Sequence, residues 1–262
     1  MIDPAAIVDI ATQAGQAILE VYQRDFDVQH KADASPLTEA DLAAHRSIIS
    51  SLEELTPDIP IISEESAAIP YAQRRAWTRY WLIDPLDGTK EFVRRNGEFT
   101  VNIALIEEGA PILGVVHVPV TGVSYIGEVG VGAWKCALTG DPVPIAAQTD
   151  CQQPIRVVAS RSHLNEAVQA MLERLGENEL VSMGSSLKLC LVAEGQADLY
   201  PRLGPTSEWD TAAAQAVVVA AGGQVTDCQM QPLDYNQKDS LLNPHFLVFA
   251  DTQIDWQSYL EQ

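Results

Sequence analysis

The segment Trp81-Leu82-Ile83-Asp84-Pro85-Leu86-Asp87-Gly88-Thr89 constrains this chain more than any other. An apolar run, Tyr80 to Ile83, meets two carboxylates three residues apart, and Gly-Thr follows. Four apolar residues ending in Asp-Pro predict a buried strand that stops at Asp84, because Pro85 lacks an N–H and restrains the residue before it. Asp84 then stands at a strand's C-terminal end, where open α/β sheets bind their ligands. Asp87 follows one tight turn later. Two carboxylates held so close repel unless a positive charge lies between them, and a hard divalent cation supplies one. Gly88 and Thr89 bring backbone N–H groups and a hydroxyl to a predicted helix start, a place suited to phosphate. Asp-Pro and Asp-Gly are also ordinary turn dipeptides, so the metal reading needs support from elsewhere in the chain. Two other motifs are excluded. Aspartyl-phosphate phosphatases need carboxylates two residues apart, and no Gly-x-x-x-x-Gly-Lys-Ser/Thr loop exists to pair with a nucleotide-switch Asp-x-x-Gly.

At 262 residues the chain is long enough for one large domain or two closely joined halves. Its net charge of −20, from 36 acidic and 16 basic residues, argues against a nucleic acid polymer as partner and gives no pull toward anionic lipid. A phosphate substrate would then demand local inversion of the field by metal ions, helix N-termini or a few placed cations. The start, Met1-Ile-Asp-Pro-Ala-Ala, lacks the basic region of a secretory signal, and the longest apolar run, residues 216–221, is too short to span a bilayer. Cys136, Cys151, Cys190 and Cys228 show no C-x-x-C spacing, so neither structural zinc nor a disulfide framework is expected. These features predict a cytoplasmic protein with reduced thiols.

Helical periodicity over 5–22 (Ile7, Ile10, Ala14, Ala17, Ile18, Tyr22) and 39–55 predicts two helices, the second opened by Thr38 with Asp41 three positions on. A short strand ends at Ser63, and strands over 99–107, 111–118 and 123–128 form a meander. Gly127, Gly130 and Gly132 lie between strand-like segments with no helix after them, and read as turn glycines rather than a dinucleotide fingerprint. A Pro- and Gln-rich stretch over 140–154 marks a boundary. Residues 1–150 form an N-terminal α+β half with the metal-binding motifs, and 151–262 a C-terminal α/β half that completes the site. Strands at 155–159, 180–183, 197–200 and 246–250 alternate there with helices at 164–175, 186–195 and 211–221, the two halves packing as one unit.

Other acids sit where strands end or helices begin. Glu64 and Glu65 end the strand at Ser63, with a loop role as the plain alternative. Asp210 precedes the apolar helix from Thr211, where an N-cap is wanted in any case. Asp41 serves equally as the acid of a capping box. Taken together, acids from separate elements in a chain without His clusters suit magnesium rather than zinc or copper.

Ser63-Glu64-Glu65, the 81–89 segment and Trp209-Asp210 together resemble the inositol monophosphatase superfamily of lithium-sensitive, magnesium-dependent phosphomonoesterases. Asp87-Gly-Thr-Lys-Glu-Phe92, Arg94 to Asn102, Ser160-Arg-Ser-His163, Gly184-Ser-Ser-Leu-Lys188 and Leu191 to Gln196 resemble its 3′(2′),5′-bisphosphate nucleotidase branch. Inositol monophosphatases typically carry Gly-Thr-Thr-Asn-Phe where this chain has Gly-Thr-Lys-Glu-Phe. The likeness runs from Ala14-Gly15 to Asn243-Pro244.

The resemblance implies an α/β (α+β) fold, the layered αβαβα sandwich of the inositol monophosphatase and fructose-bisphosphatase type. It implies two Mg2+ ions per site, with a third and weaker ion near Glu64. The first would be held by Glu64, Asp84 and the Leu86 carbonyl, and the second by Asp84, Asp87 and Asp210. Glu65 would stand off the metal. Water would attack the phosphorus in line, with no phosphoenzyme, the ions lying about 3.5–4 Å apart. Thr89 and Asp41 resemble the pair that relays the water's proton, with Glu64 orienting that water. Glu64, Leu86, Asp87, Gly88, Thr89 and Asp210 would surround the phosphate. Ser160, His163, Ser185 and Lys188 match residues that hold the adenosine and 5′-phosphate, and Arg161 and Arg202 are added as phosphate partners on charge alone. The implied reaction is hydrolysis of adenosine 3′,5′-bisphosphate to AMP and phosphate, and of the 3′-phosphate of phosphoadenylyl sulfate, clearing a by-product of sulfate assimilation. The rivals are an inositol-phosphate or sugar-phosphate phosphatase, and a non-catalytic acidic binding module. The partner is a small nucleotide bisphosphate, with no obligate protein partner. Similar proteins are also placed peripherally at the cytoplasmic face of the bacterial inner membrane.

Overall fold

The computed structural model describes residues 2–30, 36–66, 68–159 and 165–260. Helix α1 (Pro4–Tyr22) starts where Asp3 accepts from Ala5 N at 3.0 Å and Pro4 takes the first turn, where a missing N–H costs nothing. It buries Ile7, Ile10, Ala11, Ala14, Ile18 and Val21, one stripe of a 3.6-residue repeat. A two-stranded ribbon, β1 (Gln29–His30) and β2 (Pro36–Leu37), leads to α2 (Glu39–Leu55). A complete capping box opens α2: the Thr38 side chain accepts from the first turn, and Asp41 Oδ2 accepts from Thr38 N at 2.7 Å.

The larger sheet runs β3 (Ile61–Ser63), β4 (Arg79–Asp87), β5 (Thr100–Glu107), β6 (Ala110–Val118), β7 (Val123–Glu128), β8 (Gly132–Cys136) and β9 (Val143–Pro144), in that order. It is antiparallel except for β3 beside β4. The short helices α3 (Tyr71–Arg74) and α4 (Thr89–Val93) flank β4 in sequence. The smaller sheet is built from β10 (Ile155–Ala159), β11 (Asn178–Ser182), β12 (Leu199–Arg202), β13 (Gln224–Asp227) and β14 (Phe246–Phe249), in the spatial order β11-β10-β12-β14-β13. Helices α5 (Glu166–Leu175), α6 (Leu187–Ala193) and α7 (Glu208–Ala220) complete the chain, with a 3-10 turn at Trp256–Tyr259.

Alternation along β4 and β5 sorts these elements into five layers. Trp81, Ile83, Val101, Ile103 and Leu105 pack against α1 and α2 on one face of the larger sheet. Leu82, Ala104 and Ile106 face the other way, toward α6, α7 and the near side of the smaller sheet (Val158, Tyr200, Phe246, Val248). Val157, Leu199, Leu247 and Phe249 point from the far side of that sheet to α5 and Trp256. The order is therefore helix, sheet, helix, sheet, helix, the αβαβα sandwich that the resemblance implies. One apolar cluster holds residues from both sheets and the helices between them.

The structure corrects three expectations. Strand β4 does not end at Asp84 but runs to Asp87, its pairing shifting between those two residues. Pro85 is tolerated because the bulge removes its place in the ladder. Helix α7 begins at Glu208 rather than Thr211, with Ser207 as N-cap, so Asp210 is the capping-box acid three residues on. Gly127 lies within β7 rather than in a turn, and a Cβ there would fall 2.4 Å from Val217 Cα in α7. No helix among the described residues is long and apolar enough to cross a membrane.

Candidate active site

The bulge in β4 builds the site. Asp84 pairs with Asn102 of β5, and Asp87 pairs with Thr100, so β4 spends three residues where β5 spends two. In a regular strand, residues three apart face opposite ways. The extra residue turns both acids to the face that carries Asn102. Asp210, in the first turn of α7, meets them there. Among the described residues, Asp84, Asp87 and Asp210 form a group whose ligand oxygens all lie within 4.8 Å of one another.

Burial and neighbouring carboxylates push the titration of Asp84 and Asp210 upward. Asp84 is 1% exposed; burial, then the charges of Glu64, Asp87 and Asp210, raise its carboxyl well above the usual range, and a hydrogen bond with Glu64 adds to this. Asp210 is raised as well, by burial and the Asp87 charge, while its bond from Ser207 N at 2.9 Å opposes the shift. Carboxylates crowded this way repel unless a positive charge lies between them, and an oxygen-only donor set of this kind fits magnesium. Glu64 contacts Asp84 but lies outside the group of three. Its strand end is tied to α2 by His45 Nδ1 and Ser63 Oγ at 2.9 Å.

Leu86 is buried, and its N–H donates to Asp84 Oδ1 at 3.0 Å. Thr89 Oγ1 stands 3.3 Å from Asp41 Oδ1 and 3.4 Å from the Leu86 carbonyl oxygen. The other oxygen of Asp41 accepts from Thr38 N and from Thr38 Oγ1, both at 2.7 Å, which fixes the carboxylate toward Thr89. Asp41 is thus cap and Thr89 partner at once. Gly88 precedes α4 at φ +91°, a conformation that L side chains rarely adopt, and delivers Thr89 to the first turn.

Beyond Asp87 a cavity of about 130 Å3 opens between Gly88, Glu91, Ser185, Lys188, Tyr200 and Arg202, with Asp210 on its wall. Lys188 Nζ donates to the Ser185 carbonyl at 2.6 Å and lies over the Tyr200 ring. Burial pulls its pKa down to about 8, against the upward pull of Asp87 and Glu91. Arg202 Nη2 donates to the Pro205 carbonyl at 2.8 Å, while its buried Nε has no partner among the described residues. Ser160, Arg161 and His163 lie outside the described residues.

Sequence reasoning passed over three residues here. Ser186 gives both its N–H and its hydroxyl to Asp87 Oδ2, each at 2.6 Å. Asn102 donates to Ser186 Oγ at 2.9 Å. Glu91 shares the cavity with Lys188. A lone amide in the apolar run Val101 to Ile106 was the available signal for Asn102; nothing in the sequence distinguishes Ser186 from Ser185.

The inositol monophosphatase family model matches residues 3–254. The 3′(2′),5′-bisphosphate nucleotidase CysQ of Escherichia coli O6:H1 is 53% identical over 246 residues, covering 92% of this chain and 97% of that one. The protein of the same name from Haemophilus influenzae is 38% identical, covering 96% of this chain and 94% of its own. The crystal structure of CysQ from Bacteroides thetaiotaomicron, a bacterial member of the inositol monophosphatase family, superposes with a TM-score of 0.83 at 43% identity. It covers 94% of this chain and 96% of that one. With the family model matched from residue 3 to 254, a span that takes in both sheets and every segment of the site, the chain belongs to the inositol monophosphatase family.

Proposed function

We propose that this enzyme is a magnesium-dependent phosphomonoesterase that removes the 3′-phosphate of adenosine 3′,5′-bisphosphate, giving AMP and phosphate, and takes phosphoadenylyl sulfate in the same way. The observation that carries the reading is the juxtaposition of the three-acid group and a cavity that brings Lys188 and Arg202 beside it, with Asp87 and Asp210 in both. One anion belongs at the acids with its cations; Lys188 and Arg202 favour a second anionic group a short distance away. That is the charge pattern of a bisphosphate. The relatives named as bisphosphate nucleotidases support the same choice.

Asp84, Asp87 and Asp210, with Glu64 and the Leu86 carbonyl, would hold the magnesium. When bound, the metal neutralises phosphate charge and makes water a stronger nucleophile. The Thr89 hydroxyl takes up a proton from the attacking water's side as its own passes to Asp41, whose second oxygen is anchored by Thr38. The N–H groups of Gly88, which precedes α4, and of Thr89, at its first position, would donate to a phosphate oxygen. Lys188 and Ser185 orient the remainder of the substrate, and Arg202 adds positive charge to the cavity wall.

A phosphate-release panel tests the reading. With Mg2+, adenosine 3′,5′-bisphosphate should exceed inositol 1-phosphate in kcat/KM by at least about a hundredfold, as expected where a site's buried polar groups meet one substrate only. Chelation should abolish release. Equal turnover of inositol phosphate would overturn the choice of substrate, and undiminished turnover in chelator would overturn the metal chemistry.

A further inference from the structure

We propose that Asn102 and Ser186 are positioning residues that join two of the cation-binding acids into one unit and set the affinity of the site for its metal. The inference rests on the reading of Asp84, Asp87 and Asp210 as a magnesium site.

Ser186 Oγ is within 2.6 Å of both Asp87 Oδ2 and the Asp210 carbonyl oxygen, and within 2.9 Å of Asn102 Nδ2. A hydroxyl has one proton to give and two lone pairs to fill. Asn102 fills one of them, so the single proton is shared between an acceptor on Asp87 and an acceptor on the residue that carries the third acid. Asp87 Oδ2 also takes the Ser186 N–H at 2.6 Å and faces Asn102 Nδ2 at 3.5 Å. Three donors on one carboxylate oxygen leave Oδ1 as the oxygen for a cation. Asp87 is thereby held to a single binding mode, with its rotamer fixed before metal arrives.

The amide of Asn102 can point only one way. Reversed, its oxygen would meet the Asp87 carboxylate and Ser186 Oγ, which needs a donor. In the orientation observed, Oδ1 is buried with no partner among the described residues. Buried amides rarely leave an acceptor unmet. Here the amide gives up that bond to serve the two residues on its other side. Asn102 also stands directly across from Asp84 in the β4–β5 ladder and faces Asp87, and through Ser186 it reaches the Asp210 carbonyl, so one residue is linked to all three acids of the cage. The three elements it connects, β4, β5 and the start of α7, are those that position the ligands.

Partners that orient metal ligands typically change affinity by about ten- to a hundredfold when removed. The test is thermal stabilisation of the full chain by MgCl2 without substrate, each protein compared with its own cation-free melting. Ser186→Ala and Asn102→Ala should each raise the Mg2+ concentration for half-maximal stabilisation about tenfold. The double variant should add no more than about twofold, because the two act through one network. Ser186→Thr, which keeps the hydroxyl, should stay within about threefold of wild type. In turnover, the same variants should shift the Mg2+ activation midpoint while leaving KM for the phosphoester nearly unchanged. Either single variant suffices if the other does not fold, and Asn102→Ser replaces both if neither does. Variants titrating within about twofold of a responsive wild type would overturn the inference and leave the magnesium reading intact. A wild type that Mg2+ does not stabilise would overturn both.

Discussion

Gly127 of β7 lies against the backbone of Val217 in α7, where a methyl group would stand 2.4 Å from the Val217 Cα. The contact places α7 flat on the larger sheet, and α7 carries Asp210 in its first turn. Gly127→Ala therefore has no low-strain solution, since the obstacle is main chain and not a flexible side chain. We expect a loss of about 2 kcal/mol in urea unfolding with an unchanged m-value. A loss under about 0.5 kcal/mol would show that the helix can lift without consequence.

The Thr89–Asp41 pair should govern turnover rather than binding. Thr89→Ala and Asp41→Asn are expected to lower kcat by about a hundred- to ten-thousandfold, with KM changed by no more than about threefold. Asn at position 41 keeps an oxygen that can accept from Thr38, so folding should survive. A KM effect larger than the kcat effect in steady-state kinetics would move the pair from proton transfer to substrate binding.

Lys188 links activity to pH. Its ammonium is the charged form, and burial lowers its pKa to about 8. As pH rises through that value the charge is lost, so kcat/KM for the bisphosphate should fall on the alkaline side of about pH 8. Lys188→Arg, which stays charged, should move that fall upward; Lys188→Met should remove it and lower kcat/KM at neutral pH. A pH–rate profile of the three proteins decides, and superimposable alkaline limbs would exclude Lys188 as the group concerned.

His117 should make stability fall in mild acid. Its Nδ1 meets Ser124 Oγ at 2.9 Å, it is buried between β6 and α1, and burial lowers its pKa from 6.5 to about 4. Between those values the unfolded chain binds a proton that the native chain does not. The stabilisation is full above pH 6.5 and is lost as pH falls toward 4, by about 3 kcal/mol over the window. His117→Gln should lack this share of the slope. Parallel plots of Tm against pH for the two proteins would show that the imidazole charges freely in the native state.

What could be foreseen and what could not divide along the range of the interactions. Helices α1 and α2 follow from local periodicity and a capping box within four residues of the chain, and their observed ends lie within one residue of those expected. The acids at 84, 87 and 210 were legible as candidates because oxygen ligands leave a compositional trace. The continuation of β4 past Pro85 was not, because it depends on β5 supplying a partner for Asp87. Gly127 was misread for a related reason: a glycine that makes room for a helix ninety residues away looks, in sequence, like any glycine near a turn. Strands β8 and β13 lack a clear alternation of apolar and polar residues and owe their pairing to neighbours already in place. Ser186 and Asn102 acquire meaning only once two strands and two helices meet.

The odd residue in β4 has a consequence for how such a chain can change over time. Between Asp84 and Asp87 the count of residues works like the phase of a code: adding or removing one would swing Asp87 from the polar face to the oily one, beside Phe92 and Phe99, whatever amino acids were chosen. Point changes around the cage can be graded in effect, whereas a shift in spacing there is all or nothing.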